Sequence, residues 1–186
     1  MMGNILLEEV EYKVEETNVG VWRRYGHADG TSYHEFKSHK SMFGLPLVHY
    51  THGKNPETGR RVWAKGVLAV GCFARGVIPI GIISTGLIAV GVLAFGLIAV
   101  GLFAIGIALG FGQLSTGVVA LGQIAIGVLF GAGQITTGYV AIGQVALGKY
   151  VLAQIGVGKH VWCMGRADAE AVEFFKALPV IRYFLP

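Results

Sequence analysis

The stretch GVLAVGCFARGVIPIGIISTGLIAVGVLAFGLIAVGLFAIG, Gly66 to Gly106, places a glycine at every fifth residue, and that period decides the fold. The beat slips by one residue at Gly106 to Gly112 and again at Gly127 to Gly133. It then continues through Gly138, Gly143 and Gly148, with Ala153 in the glycine place before Gly158. A strand alternates its faces, so an odd period keeps no single face of a flat strand buried. On an α-helix, five residues advance about 140° beyond a full turn, so the glycines would mark no face. A chain that turns a corner every five residues does fit. The expected class is all-β, a β-solenoid in the form of a four-sided β-helix of about 20–21 residues per coil. The segment Gly112 to Ala132 aligns with Gly133 to Ala153, and Gly110 and Gly131 sit where an extra residue would be absorbed as a bulge.

Within each unit Gly-1-2-3-4, the second position is bulky and apolar, as in Leu68, Phe73, Ile78, Ile83, Ile88, Leu93, Ile98 and Phe103. These residues are expected to point inward. The third position is small, as in Ala69, Ala74, Ala89, Ala99, Ala120 and Ala141, and reads as a corner. The first position is expected outward. It is apolar in the first half, and in the second half it includes Gln113, Gln123, Gln134, Gln144 and Gln154, followed by Lys149 and Lys159. With a coil of about 20 residues, glutamines ten or eleven apart would stack on two opposite faces.

Gly66 with Leu68, or Gly101 with Phe103, resembles the small residue and central Leu or Phe of pentapeptide-repeat proteins, which implies their right-handed four-sided β-helix. The resemblance covers Gly66 to about Gly158. It departs at the polar position, which is Val67, Val77, Leu87 or Leu97 here. The run FGLPLVHY, Phe43 to Tyr50, is similar to a lead-in found in uncharacterised bacterial proteins with glycine-rich hydrophobic repeats, which implies no function. DNA-mimicking pentapeptide-repeat members are acidic outside, whereas this chain carries 15 basic and 11 acidic residues, net +4, so no nucleic-acid partner is expected.

The chain of 186 residues reads as three parts: a small β-rich N-terminal cap at 1–65, the repeat at 66–165, and a short capping helix with an apolar tail at 166–186. Val19 to Tyr25 and Thr31 to Phe36 are expected to form a hairpin about His27-Ala28-Asp29-Gly30. Leu47 to Thr51 and Arg60 to Ala64 are expected to pair across Asn55 to Gly59. Ala167 to Leu178 reads as a helix with Ala171, Phe174, Phe175 and Leu178 on its apolar face. The start shows acids early and no basic-then-apolar order, so no secretory signal is read and synthesis in the cytoplasm is expected.

The sequence contains no nucleophile elbow, no phosphate-binding lysine motif and no metal-ligand spacing among His34, His39, His49 and His52. The expectation is therefore no enzyme and no cofactor, with Cys72 and Cys163 as free thiols. Mean hydropathy is +0.59, and nothing between Arg75 and Lys149 is charged. An apolar exterior of that size needs a cover. The leading expectation is a structural, self-assembling homo-oligomer or filament whose solenoid walls cover one another. Its contacts would be Val77, Ile82, Leu87, Val92, Leu97, Leu102 and Ile107, with Tyr183, Phe184 and Leu185 of the tail. The alternative is a membrane-associated or embedded protein. Five coils of about 20 residues would rise roughly 24 Å, short of the roughly 30 Å hydrocarbon core. Transmembrane helices are opposed by the five-residue beat, because helix-packing glycines come four apart.

Overall fold

The computed structural model describes residues 10–178. They are mostly β, with one short helix near the C-terminus. Two compact units divide the chain, 1–96 and 97–186.

The first unit opens with an antiparallel meander of β1 (Lys13–Thr17), β2 (Gly20–Gly26) and β3 (Ser32–Ser38). The hairpin expected about His27 to Gly30 is formed. Gly30 takes φ 81°, while Asp29 Oδ1 accepts from the Thr31 amide at 2.9 Å and from its hydroxyl at 2.6 Å. A two-strand hairpin follows, β4 (Ser41–Met42) and β5 (Leu45–Pro46), turning through Phe43 and Gly44, both at positive φ. Next comes β6 (Val48–His52), which pairs antiparallel with β3 and parallel with Leu68–Gly71.

That double pairing overturns the expected partner of Leu47 to Thr51. Both edges of β6 are already occupied, so Arg60 to Ala64 has no edge to join. The intervening loop closes on itself instead. The Asn55 amide donates to the Arg60 carbonyl at 2.9 Å, and Asn55 Oδ1 accepts from the Glu57 and Thr58 amides.

The glycine stretch forms β7, which runs Trp63–Cys163. In each unit its backbone returns upon itself every ten or eleven residues, half the expected 20–21. In the first unit a Cβ built on Gly76 would stand 1.7 Å from the Gly66 carbonyl oxygen, and one on Gly81 would stand 2.1 Å from that of Gly71. Trp63 and Phe73 stack with ring centroids 5.2 Å apart. In the second unit Gly122 meets Gly112, Gly133 meets Gly122, and Tyr150 stacks on His160. Two five-residue segments therefore make one return. The 21-residue sequence repeat is one return of ten and one of eleven. The extra residues are absorbed in matching tight turns, where Gly106 meets the Leu109 carbonyl and Gly127 meets that of Phe130.

A ten-residue return also reverses the expected side-chain order. The third position fills the interior: Ala69, Ala74, Ala89, Ala94, Ala99, Ala104, Ala120, Ala125 and Ala141 are fully buried, with Ser84, Ser115 and Thr136 in the same role. None of the second-position residues expected inside is buried, and Ile78, Ile88, Phe103, Ile124, Leu129, Ile135 and Val145 are exposed. The cause is steric. Where backbones pass at glycine contact, only methyl-sized groups fit between opposing segments, so the bulky residues go outward. Gly156 occupies one interior place because Val151 and Val161, both buried, already fill it; an added Cβ would lie 2.7 Å and 2.9 Å from their Cγ1 atoms.

The second unit ends in β8 (Arg166–Ala167), antiparallel to Trp162–Cys163, and α1 (Ala169–Ala177). The helix begins two residues later than expected because Arg166 and Ala167 are used in β8. Asp168 sits at the N-cap, but its carboxylate accepts from the Val161 amide at 2.9 Å and from Arg166, tying the helix start to β7. Ala171 and Phe175 are buried, and Phe174 stacks on Tyr150 at 4.1 Å.

Candidate interaction surface

Two places concentrate chemistry, a buried polar cluster in the first unit and the apolar exterior of β7.

The cluster forms because Glu35 and Lys37 project from the same face of β3, and His49 on β6 lies opposite Lys37. Glu35 and His49 are both nearly fully buried. The Lys65 amide donates to His49 Nδ1 at 2.8 Å, so Nε2 carries the proton and donates to Glu35 Oε1 at 3.1 Å. Lys37 Nζ reaches the same oxygen at 2.8 Å. Burial works to raise the Glu35 carboxyl, but the hydrogen bonds from His49 and Lys37 and the lysine charge outweigh it and hold it at about 2. Tyr33, buried beside it, is pushed well above the ordinary phenol range by burial and by Glu35. Tyr12 rises to about 12 through burial and its hydrogen bond to Glu57. The groove over Glu35, lined also by Arg23 and His39, holds about 190 Å³. Both ring nitrogens of His49 and Oε1 of Glu35 have protein partners, which makes the pair a lock between β3, β6 and the start of β7. Three other histidines are hydrogen-bonded elsewhere: His34 to the Ser32 hydroxyl, His39 to the Thr17 carbonyl and His27 to the Lys54 carbonyl. Among the described residues, no three His, Cys, Asp or Glu side chains converge as a metal-ligand set.

The expected contact residues lie on the β7 exterior. Val77 is half-buried, and Ile82, Leu87, Val92, Leu97, Leu102 and Ile107 are exposed, Ile107 by 74%. The ten-residue return separates them. In the first unit Val77 and Leu87 share one column and Ile82 and Val92 another; in the second, Leu102 precedes Gln113 in one column. Tyr183, Phe184 and Leu185 lie outside the described residues. Second-position side chains join the exterior, and the sequence reading missed them there by assigning them to the core. The signal available was the third position, small in most units, which suits a thin interior better than a corner.

The glutamines change place too. A Cβ built on Gly133 would stand 3.3 Å from the Gln123 carbonyl oxygen, and one on Gly143 3.3 Å from that of Gln134, so successive returns of the second unit lie ten or eleven residues apart. Gln113, Gln123, Gln134, Gln144 and Gln154 therefore occupy one column in the second unit instead of two opposite faces. On the alternate segments, Lys149 donates to the Tyr139 hydroxyl at 3.0 Å and lies over that ring. His160 Nδ1 meets Glu170 of α1 at 2.7 Å. Among the described residues no helix is long and apolar enough to cross a membrane.

No family model matches the chain, and neither the curated proteins nor the solved structures contain a match to it.

Proposed function

We propose that this is a structural, self-assembling protein in which β7 winds as a two-segment β-solenoid and copies associate through its apolar exterior. The carrying observation is the inversion of side-chain size: methyl-sized residues inside, with Leu, Ile, Val and Phe outside. A chain that spends its large apolar residues on the exterior leaves them in water unless another surface covers them. Each such side chain gains about 1.5–3 kcal/mol on burial. A handful per copy therefore offsets an association cost of about 4–15 kcal/mol. The repeat's resemblance to pentapeptide-repeat proteins supports a stacked architecture and adds no activity. The reading assigns no reaction and no cofactor, because Glu35, the most buried carboxylate among the described residues, is committed to His49 and Lys37.

The test is sedimentation and negative-stain microscopy of the full chain, with and without detergent, beside a variant carrying Leu87→Gln, Leu97→Gln and Leu102→Gln. Particles larger than one chain in plain buffer, reduced in size by the triple change with the far-ultraviolet β-signal retained, support the reading. Dispersal only in detergent, with partition into vesicles, would assign the exterior to lipid.

A further inference from the structure

The two segments that make each return in the second unit differ in chemistry. The segments at 112–116, 122–126, 133–137, 143–147 and 153–157 hold no charged residue. Each begins Gly-Gln or Ala-Gln followed by Leu, Ile or Val. Their outward side chains include Ile124 at 41% exposure, Ile135 at 50% and Ile155 at 65%. The alternate segments carry Lys149, Lys159 and His160, and α1 lies over their end through Phe174 on Tyr150. The chain thus covers part of one face with its own helix, and among the described residues no helix lies over the uncharged glutamine face.

Resting on the self-association reading above, we propose that this glutamine face pairs with the same face of a second copy, antiparallel, with Gln134 at the twofold axis. The absence of charge means that an identical face buries no unpaired ion. Each exposed glutamine amide both donates and accepts, so a glutamine column complements itself. Lipid does not: five amides along the column would lose water in hydrocarbon and gain no partner.

Symmetry favours the antiparallel arrangement. A twofold axis along the direction of stacking brings the two columns together only where it runs beside the column itself, and then in parallel; anywhere else on the face it sets each column against apolar side chains of the other copy. A twofold perpendicular to it, lying in the interface, sets column against column in opposite directions. The second pairs the amides wherever on the face the column lies. Of the five glutamines Gln134 is the middle one, so it meets its own mate, Gln123 meets Gln144, and Gln113 meets Gln154. Successive rungs rise about 4.8 Å, which places Gln113 about 19 Å from its own twofold mate.

The experiment uses the full chain with Cys72→Ser and Cys163→Ala, to which Gln134→Cys, Gln113→Cys or Gln154→Cys is added singly, and a short bismaleimide. Crosslinked dimer is expected for Gln134→Cys alone and for a mixture of Gln113→Cys with Gln154→Cys, and not for Gln113→Cys by itself. In parallel, Gln134→Lys, which sets two ammonium groups face to face, is expected to weaken pairing roughly tenfold more than Gln113→Lys, which faces an amide. Sedimentation separates the two ideas. Particles larger than one chain, with Gln113→Cys crosslinking as readily as Gln134→Cys, overturn this pairing and leave self-association standing. A monomer in plain buffer overturns both.

Discussion

Gly122 lies against the backbone of Gly112: a Cβ built on Gly122 would stand 1.8 Å from the Gly112 carbonyl oxygen. The atom in the way is main chain, held by the neighbouring return, so no side-chain rotation relieves the contact. Gly122→Ala is expected to destabilise the second unit by at least about 2–3 kcal/mol. At Gly165 an added Cβ meets nothing within 4 Å, and Gly165→Ala is expected to fall within about 0.5 kcal/mol of the wild type. Denaturant midpoints of the two variants check this; equal losses would mean that close backbone passage does not set the glycine period.

Ala125 and Ile124 test which position is interior. Ala125 is fully buried and Ile124 is 41% exposed. Ala125→Leu overpacks the interior and is expected to cost about 3 kcal/mol or to prevent folding. Ile124→Thr is expected to change monomer stability by under about 1 kcal/mol. Greater damage from Ile124→Thr in thermal unfolding would restore the second position to the core.

Ser115 Oγ and Thr136 Oγ1 are buried without a hydrogen-bond partner. Each hydroxyl has lost water and gained nothing, so Ser115→Ala and Thr136→Val are expected to stabilise the fold by about 1 kcal/mol each. A loss of stability in either variant, read by chemical denaturation, would show that the hydroxyl is satisfied in solution.

Phe43 is 84% exposed at the β4–β5 turn with φ 54°, and Gly44 follows at φ 73°. Two successive positive φ values suit Asn-Gly, and a bulky aromatic there is strained. Phe43→Asn is expected to raise stability by about 1 kcal/mol. A lower melting temperature for the variant would show that the Phe43 ring packs in solution.

Glu35 sets the acid limb of stability in the first unit. Its carboxyl lies at about 2 when folded, against an ordinary value of 4.5. The folded form holds the proton less tightly, so the contribution is fully present above the unfolded value and is lost as pH falls from about 4.5 toward 2. Urea midpoints are expected to decline over that window. Glu35→Gln is expected to be less stable at pH 7 and to decline less steeply. A parallel decline in both chains would remove Glu35 from the acid transition.

The sequence by itself determined the period, the β character, the Asp29-Gly30 hairpin and the helix after the repeat. Each follows from local constraints: a glycine beat that no helix or flat strand accommodates, a turn dipeptide, and an apolar face at helical spacing. It also showed that apolar residues outnumber the places that could bury them. Only the tertiary structure decided the length of a return, and with it which residues lie inside. A five-residue period states that one residue in five faces inward without saying which one, and hydropathy favours the large second position. Close passage of backbones at Gly112 and Gly122 leaves room only for methyl-sized groups, so steric exclusion selects Ala125 over Ile124. The same ten-residue return gathers Gln113 to Gln154 into one column, because a column depends on what the chain stacks upon, and the neighbouring return is not written in any local run of residues.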